Sequence, residues 1–250
     1  MNGADFSILF PAFIAGLLVL ATHIPFGMKV LARGVIFADL AVAQIAGLGL
    51  ILAGLLDLTG QPLLVQLIAA ASALCGAALL AWIEKRLPEV KEACIGLTFV
   101  LAASGGILLM SHDVYSGEHL KDLLVGQILW VSSQQLMAAA LLTAVLLALW
   151  QWSKLQAHPL GFYTLFALAV TASVQLVGVY LVFASLIVPA LATYRCRHRR
   201  TLWAFAVGIP GYALGLLLSA WFDLPSGAAV VCTLAGTGVI AVLLNSQKPG

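Results

Sequence analysis

The amino-acid sequence predicts an all-α protein, a polytopic transmembrane helical bundle of about 8–9 membrane segments, on three observations. Hydrophobic residues make up 62% of the 250 residues and charged residues only 9%, whereas a soluble domain carries about a quarter charged residues. Apolar runs long enough to cross a bilayer follow one another almost from end to end. Nearly all basic residues fall on one side of these runs. We therefore expect one membrane domain over residues 1–250.

Nine hydrophobic segments are predicted along the chain. The N-terminal sequence MNGADF lacks the basic region of a cleaved signal peptide, so the first segment is expected to remain as a helix. In order, the segments are Ile8–Phe26, Ile36–Leu56, Leu63–Ile83, Ala93–Met110, Leu136–Trp152, Phe162–Val174, Gly178–Thr193, Leu202–Trp221 and Gly227–Leu244.

The sixth and seventh segments are short, and one continuous span over Phe162–Thr193 is the alternative. Such a span would contain roughly 32 residues, and at about 1.5 Å per residue it would far exceed a bilayer core of ~30 Å. Gln175 and Gly178 are typical turn positions between two shorter segments. Two segments are therefore predicted.

The distribution of lysine and arginine predicts the orientation of the chain. With the N-terminus outside and the C-terminus cytoplasmic, eleven of the twelve basic residues lie on the cytoplasmic side, as the positive-inside rule requires. Only Lys121 remains outside. Merging the sixth and seventh segments would move the basic run RCRHRR, residues 195–200, to the outside, which argues against the merger.

The four cysteines do not form a recognisable disulfide or zinc framework. They are scattered through apolar or basic surroundings without a CxxC pair, and we interpret them as small packed residues. The lone His23, near the inner end of the first segment, is likewise predicted to be a packed or interfacial histidine rather than a metal ligand.

The stretch Arg33–Gly49, RGVIFADLAVAQIAGLG, places Asp39 and Gln44 within a hydrophobic run. An ionisable side chain inside a membrane costs at least a few kcal/mol unless it faces a partner or water. Two interpretations stay open. Asp39 is an interfacial acid at a helix start, solvated or paired with Arg33, or Asp39 and Gln44 border a translocation pathway.

Two further positions in apolar segments are candidates for the same pathway. Gln175 lies in the turn predicted between the sixth and seventh segments. Pro189 lies near the inner end of the seventh, where a proline frees a backbone carbonyl and often marks irregular backbone beside a cavity.

The outer segment SHDVYSGEHLKDLLVGQILWVSSQ is the most polar part of the chain. Imidazole and carboxylate ligands suit zinc, iron or manganese, and a cluster of them here would receive a metal or contact a delivery protein. An ordinary polar loop is the alternative, because the residues have no fixed ligand spacing. The cluster comprises His112, Asp113, Glu118 and His119.

Two predicted inner loops carry further signals. WIEKRLPEVKEACIG contains mixed charges and Pro88, which fit either a short segment that docks on a soluble partner or a solvated turn whose charges cap helices. WQWSKLQAHPLGFY contains Ala157, Pro159 and Gly161, which indicate a break between a short helix and the sixth segment.

Several stretches together resemble the membrane permeases of ABC transporters for zinc, manganese and iron. The matching pieces, in the order of that family, are FADLAVAQIAGLG, EACIGLTFVLAASGGILL, LLVGQIL, the spacing from Ala157 to Gly161, VGVYLVFASLIVPALAT and DLPSGAAVV. One departure falls in the first piece. Ala43 stands four residues after Asp39, where the family usually has histidine, and the proline of that motif is absent.

The resemblance implies an ATP-driven importer of a divalent transition metal that works by alternating access. Two permeases would pair around a central pathway, cytoplasmic ATPase subunits would dock on inner loops such as residues 157–161, and an outer binding protein would deliver the metal. The chain has no GxxxxGK[ST] phosphate loop, so ATP would bind and be hydrolysed on another polypeptide. The resemblance also implies the bacterial inner membrane as the location, and no nucleic-acid partner or resident cofactor is expected.

Two other classes of function are weighed against this one. A secondary transporter driven by protons through Asp39 would often show internal repeats, and none is convincing in the sequence. A membrane enzyme would need convergent catalytic groups within the bilayer, and the apolar segments contain few histidines or acidic pairs.

Overall fold

The computed structural model describes residues 3–56, 58–110, 128–152, 154–196 and 198–246. Within these residues the secondary structure is entirely helical, with three short 3-10 segments at Leu58–Gly60, Ile128–Trp130 and Lys154–Ala157. The α-helices, numbered in chain order, are α1 (Gly3–Arg33), α2 (Ala38–Leu55), α3 (Pro62–Arg86), α4 (Lys91–Met110), α5 (Ser133–Trp152), α6 (Pro159–Val177), α7 (Val179–Ala192), α8 (Arg200–Phe222) and α9 (Ser226–Ser246).

The predicted fold class is confirmed. Each of the nine hydrophobic segments corresponds to a helix, and among the described residues eight helices are long and apolar enough to cross a membrane. The remaining one, α7, has 14 residues, which at about 1.5 Å per residue is shorter than a ~30 Å bilayer core.

The first helix is longer at both ends than predicted. It has 31 residues and continues through Pro11 and Pro25 to Arg33, whereas the sequence predicted an end at Phe26 and a loop containing Lys29. Long basic side chains keep their charge in water while their stems cover apolar surface, so Lys29 does not require the helix to end.

The break between α6 and α7 falls at Gly178 alone. Its φ of 82° and ψ of 162° lie outside the helical region, at a positive φ that glycine adopts at little cost. Separate sixth and seventh segments are therefore confirmed, but Gln175 belongs to helix α6 and not to the turn.

One compact unit contains α1, α7, α8, α9 and the first part of α5. Within it, α1 contacts α7 and α8, and α8 packs along α9. Small residues permit the close approach: Gly16 of α1 lies against the ring of Tyr212. Gly211 and Gly215 of α8 face α9, for example at Leu234, so this GxxxG stripe packs within the chain.

The second compact unit contains α2, α3, α4, the remainder of α5 and most of α6. Helix α2 lies between its two partners, in contact with both α3 and α4. A Cβ atom at Gly76 of α3 would come within 2.9 Å of Ile45, and one at Gly106 of α4 within 3.3 Å of Ile51. Glycine thus lets both helices approach α2 closely, which fixes the position of the helix that carries Asp39.

The four cysteines are free, as predicted, but two of them are not packed residues. Cys75 and Cys232 are exposed on the described chain, whereas Cys94 and Cys196 are partly buried. In a membrane segment an apolar or weakly polar side chain can face lipid as well as a neighbouring helix, so sequence alone did not distinguish the two positions.

Candidate translocation and coupling sites

The start of α2 places Asp39 in the first helical turn. Gly34 adopts a positive φ of 64°, and the Ala38 N–H donates to the Val35 carbonyl over 3.1 Å, so the chain turns sharply into the helix. Phe37 is the N-cap residue and its side chain makes no capping hydrogen bond. Asp39 is therefore the second residue of the helix, near the positive end of the helix dipole, where a negative charge is favoured.

The Asp39 side chain is 1% exposed, and neither carboxylate oxygen has a hydrogen-bond partner among the described residues. A buried carboxylate without a partner costs several kcal/mol. Complete burial removes the solvated alternative for Asp39. The geometry is that of a buried acid that requires a cation, a proton or another donor.

Ala43, one turn after Asp39, is also buried, with 5% of its surface exposed. Its methyl group cannot bind a metal, so the second donor expected from the family motif is absent at this position. Gln44, the next residue, is half-buried in α2.

Glu92, in the first turn of α4, contacts the start of α2. Its Oε1 accepts a hydrogen bond of 3.1 Å from the backbone N–H of Phe37. This contact agrees with the interpretation of the 82–96 stretch as a turn whose charges cap helices. The role of Glu92 could not be predicted from the sequence, because its partner lies 55 positions away and no local pattern connects the two.

The other two pathway candidates lie elsewhere in the helices. Pro189 is buried within α7, which continues as a helix to Ala192, and the Pro189 carbonyl accepts a hydrogen bond of 2.8 Å from the Thr193 hydroxyl. Gln175 is exposed near the end of α6. The pathway role of both residues stays a prediction.

The predicted coupling loop, residues 154–161, is a compact turn. The His158 N–H donates to Leu155 O over 3.2 Å, and the Phe162 N–H donates to His158 O over 3.0 Å. Pro159 begins α6, a position where its missing N–H costs nothing. Gly161 lies so close to the Leu155 carbonyl that a Cβ atom would collide with it.

The surface of this loop is apolar and accessible on the described chain. Ala157 is exposed, and Leu155 and Leu160 are 42% and 57% exposed. Beneath them the ring of Phe162 is fully buried and stacks on Phe166 with centroids 5.5 Å apart. A rigid turn with exposed leucines suits a docking surface for another protein.

His23 is packed in α1, as predicted. It is fully buried, and its Nδ1 lies 3.0 Å from the Val19 carbonyl and 3.0 Å from the Thr22 hydroxyl. Its Nε2 has no hydrogen-bond partner among the described residues.

The outer cluster of His112, Asp113, Glu118 and His119 lies outside the described residues, so the metal site proposed for it stays a prediction. Within the described part of the chain, no group of three or more His, Cys, Asp or Glu side chains could hold a metal ion.

Comparison with known families decides the class of the chain. The sequence pattern described as "ABC 3 transport family" matches residues 5–160 and 153–245, which together span nearly the whole chain. The chain belongs to the ABC 3 transport family. The resemblance seen in the sequence motifs is thereby confirmed at the level of the family.

Two relatives of this ABC 3 chain are described as membrane proteins of iron transport systems. A "Probable iron transport system membrane protein" of Haemophilus influenzae is 27% identical over 187 residues, which cover 66% of this chain and 69% of the relative. The "Chelated iron transport system membrane protein YfeD" of Yersinia pestis is 30% identical over 188 residues, which cover 66% of this chain and 63% of that protein.

A solved structure shows the same fold. "PsaBC from Streptococcus pneumoniae in complex with Fab" superposes with a TM-score of 0.69, covering 94% of this chain and 89% of the other at 22% sequence identity. The ABC 3 chain is thus a multi-span helical membrane component of an ABC transport system.

Proposed function

We propose that this ABC 3 chain is the permease subunit of an ATP-driven importer for a divalent transition metal: iron, manganese or zinc. The family match over almost the entire chain supports the permease class. The two relatives described as iron transport proteins favour iron among these metals. Iron(II), manganese(II) and zinc(II) all accept carboxylate oxygen as a ligand.

Asp39 is the residue that the proposal places on the translocation pathway. Its carboxylate is buried and without a hydrogen-bond partner on the described chain, and a passing divalent cation would satisfy both oxygens. Because Ala43 offers no side-chain ligand, the cation would keep water or backbone ligands on that side. Gln44, half-buried one residue further on, is the nearest amide in the sequence.

The remaining parts of the transporter lie on other chains. A separate ATPase subunit would bind ATP and dock on the exposed loop around Ala157, Pro159 and Gly161. An extracytoplasmic binding protein would deliver the metal, and two permeases would pair in the bacterial inner membrane. By the positive-inside rule, the loop of residues 154–161 would lie in the cytoplasm with the ATPase.

Reconstitution tests this proposal. The chain is incorporated into liposomes with its partner ATPase and binding protein. Uptake of iron(II), manganese(II) and zinc(II) is then measured with ATP inside or outside. We expect uptake of at least one metal that requires ATP hydrolysis. Uptake that continues with hydrolysis blocked but stops when a proton gradient is collapsed would instead favour a secondary transporter.

A further inference from the structure

The start of α2 lacks a capping residue of its own. In a common helix start, Ser, Thr, Asp or Asn at the N-cap accepts a hydrogen bond from the first turn, and Glu or Gln at the third helical position reaches back to the N-cap N–H. Here the N-cap residue is Phe37 and the third helical residue is Leu40, neither of which has a side-chain acceptor. The acceptor for the Phe37 N–H therefore comes from outside α2.

Glu92 supplies that acceptor from another helix. Its Oε1 takes the Phe37 N–H at 3.1 Å, which is the bond that a glutamate at the third position would make in a local capping box. The contact adds to the packing of α4 on α2, in which Gly106 approaches Ile51. Glu92 thus joins the first turns of two helices in the same compact unit.

The contact lies two residues from Asp39, the acid without a hydrogen-bond partner. Asp39 is buried in the same first turn, so the position of its carboxylate follows the position of that turn. The second Glu92 oxygen, Oε2, is buried and also has no hydrogen-bond partner among the described residues. Glu92 is therefore not simply a solvated surface acid.

We propose that Glu92 is a positioning residue for transport: it fixes the first turn of α2 and, through that turn, the Asp39 carboxylate. This inference rests on the proposed function, because it assumes that Asp39 contacts the transported cation. It also connects α4, and the short turn of residues 87–90 before it, to the Asp39 site. A displacement of that turn would then change the cation site.

The experiment measures ATP-dependent uptake of iron(II) and manganese(II) by the assembled transporter in liposomes for Glu92→Gln, Glu92→Ala and Glu89→Ala. Glutamine retains an oxygen acceptor, so we expect uptake within about twofold of the unmodified transporter. Alanine removes the acceptor, and we expect uptake to fall about fivefold. Loss of one helix cap, worth about 1 kcal/mol, lowers the population of the formed first turn of α2 by about that factor. Glu89 is an exposed carboxylate of the same turn, and its replacement is expected to leave uptake unchanged.

A double-mutant cycle with Asp39→Asn separates positioning from general stability. If Glu92 acts through Asp39, Glu92→Ala causes little further loss of residual uptake in the Asp39→Asn background. Three outcomes would overturn the inference. The first is a double variant whose loss of uptake equals the product of the two single losses. The second is a Glu92→Gln variant as poor in uptake as Glu92→Ala, and the third is a fully active Glu92→Ala variant. The yield of assembled complex on size-exclusion chromatography identifies variants that fail to fold.

Full activity of Asp39→Asn overturns the proposed role of Asp39 itself. A defect in Asp39→Asn with none in Glu92→Ala overturns only the role of Glu92.

Discussion

The hydroxyl groups of Ser185 and Tyr212 are 2.7 Å apart and join α7 to α8 inside the unit that contains α1. The Ser185 hydroxyl donates to the Leu181 carbonyl over 2.6 Å, so the Tyr212 hydroxyl is the donor to Ser185. The Tyr212 side chain is fully buried. This polar contact between two apolar helices costs little, because each buried hydroxyl has a hydrogen-bond partner. An isolated buried hydroxyl would have none.

Replacement of Tyr212 by phenylalanine removes this bridge while the ring remains. We expect the variant to be destabilised by about 1 kcal/mol, the usual net value of one buried hydrogen bond. The unfolding transition of the purified chain in detergent measures the change. Tyr180→Phe is the matched control, because Tyr180 is 54% exposed and its variant should unfold like the original. Equal stability of both variants would show that the bridge contributes nothing.

Gly161 is the position where a single methyl group should disrupt the predicted coupling loop. A Cβ atom there would collide with the Leu155 backbone carbonyl, and backbone cannot move aside as a flexible side chain can. We expect Gly161→Ala to destabilise the turn by about 1–3 kcal/mol and to lower ATP-dependent metal uptake. Gly236→Ala is the control, since a Cβ atom at Gly236 meets no other atom within 4 Å. Normal uptake by Gly161→Ala would mean that the turn shape is not required.

The exposed leucines of this loop predict where the ATPase docks. Leu160 is 57% exposed, so a charged residue at this position would leave the fold of the free chain intact. In the complex, the charge would lie in the apolar contact with the ATPase and weaken it. Leu160→Glu should therefore lower co-purification of the ATPase without changing the unfolding transition. Leu56→Glu changes an exposed leucine at the opposite, predicted outer, end of a helix and should leave co-purification unchanged. Equal loss in both variants would argue against a specific docking loop.

The outer histidines test the predicted metal cluster. If His112 and His119 receive metal, replacing both by alanine should raise the metal concentration for half-maximal uptake about 10–100-fold, the range seen when a metal environment is disturbed. Maximal uptake should remain. Replacement by alanine of His198, an exposed histidine outside both the cluster and the coupling loop, is the control. An unchanged concentration dependence would identify the segment as an ordinary polar loop.

The helices of this protein could be predicted from sequence because each is a long apolar run, and the bilayer requires such runs to be helical. The end of α1 could not be predicted in this way. Pro25 and Lys29 are typical of a helix end, but the helix continues through both of them to Arg33. The sequence singles out Asp39 because a carboxylate in an apolar run is costly, and its pathway role stays a prediction. The contact of Glu92 with Phe37 joins residues 55 positions apart, so it depends on how α4 packs against α2 and leaves no periodic signal in the sequence.

The central claim is that Asp39 borders the path of a metal through an ATP-driven permease. The most direct measurement compares ATP-dependent uptake of iron(II), manganese(II) and zinc(II) by liposomes that contain the assembled transporter with Asp39 or with Asp39→Asn. Asparagine preserves shape and removes the charge, so the account predicts at least about a tenfold loss of uptake for the transported metal with ATPase assembly retained. Undiminished ATP-dependent uptake by the Asp39→Asn transporter would contradict it.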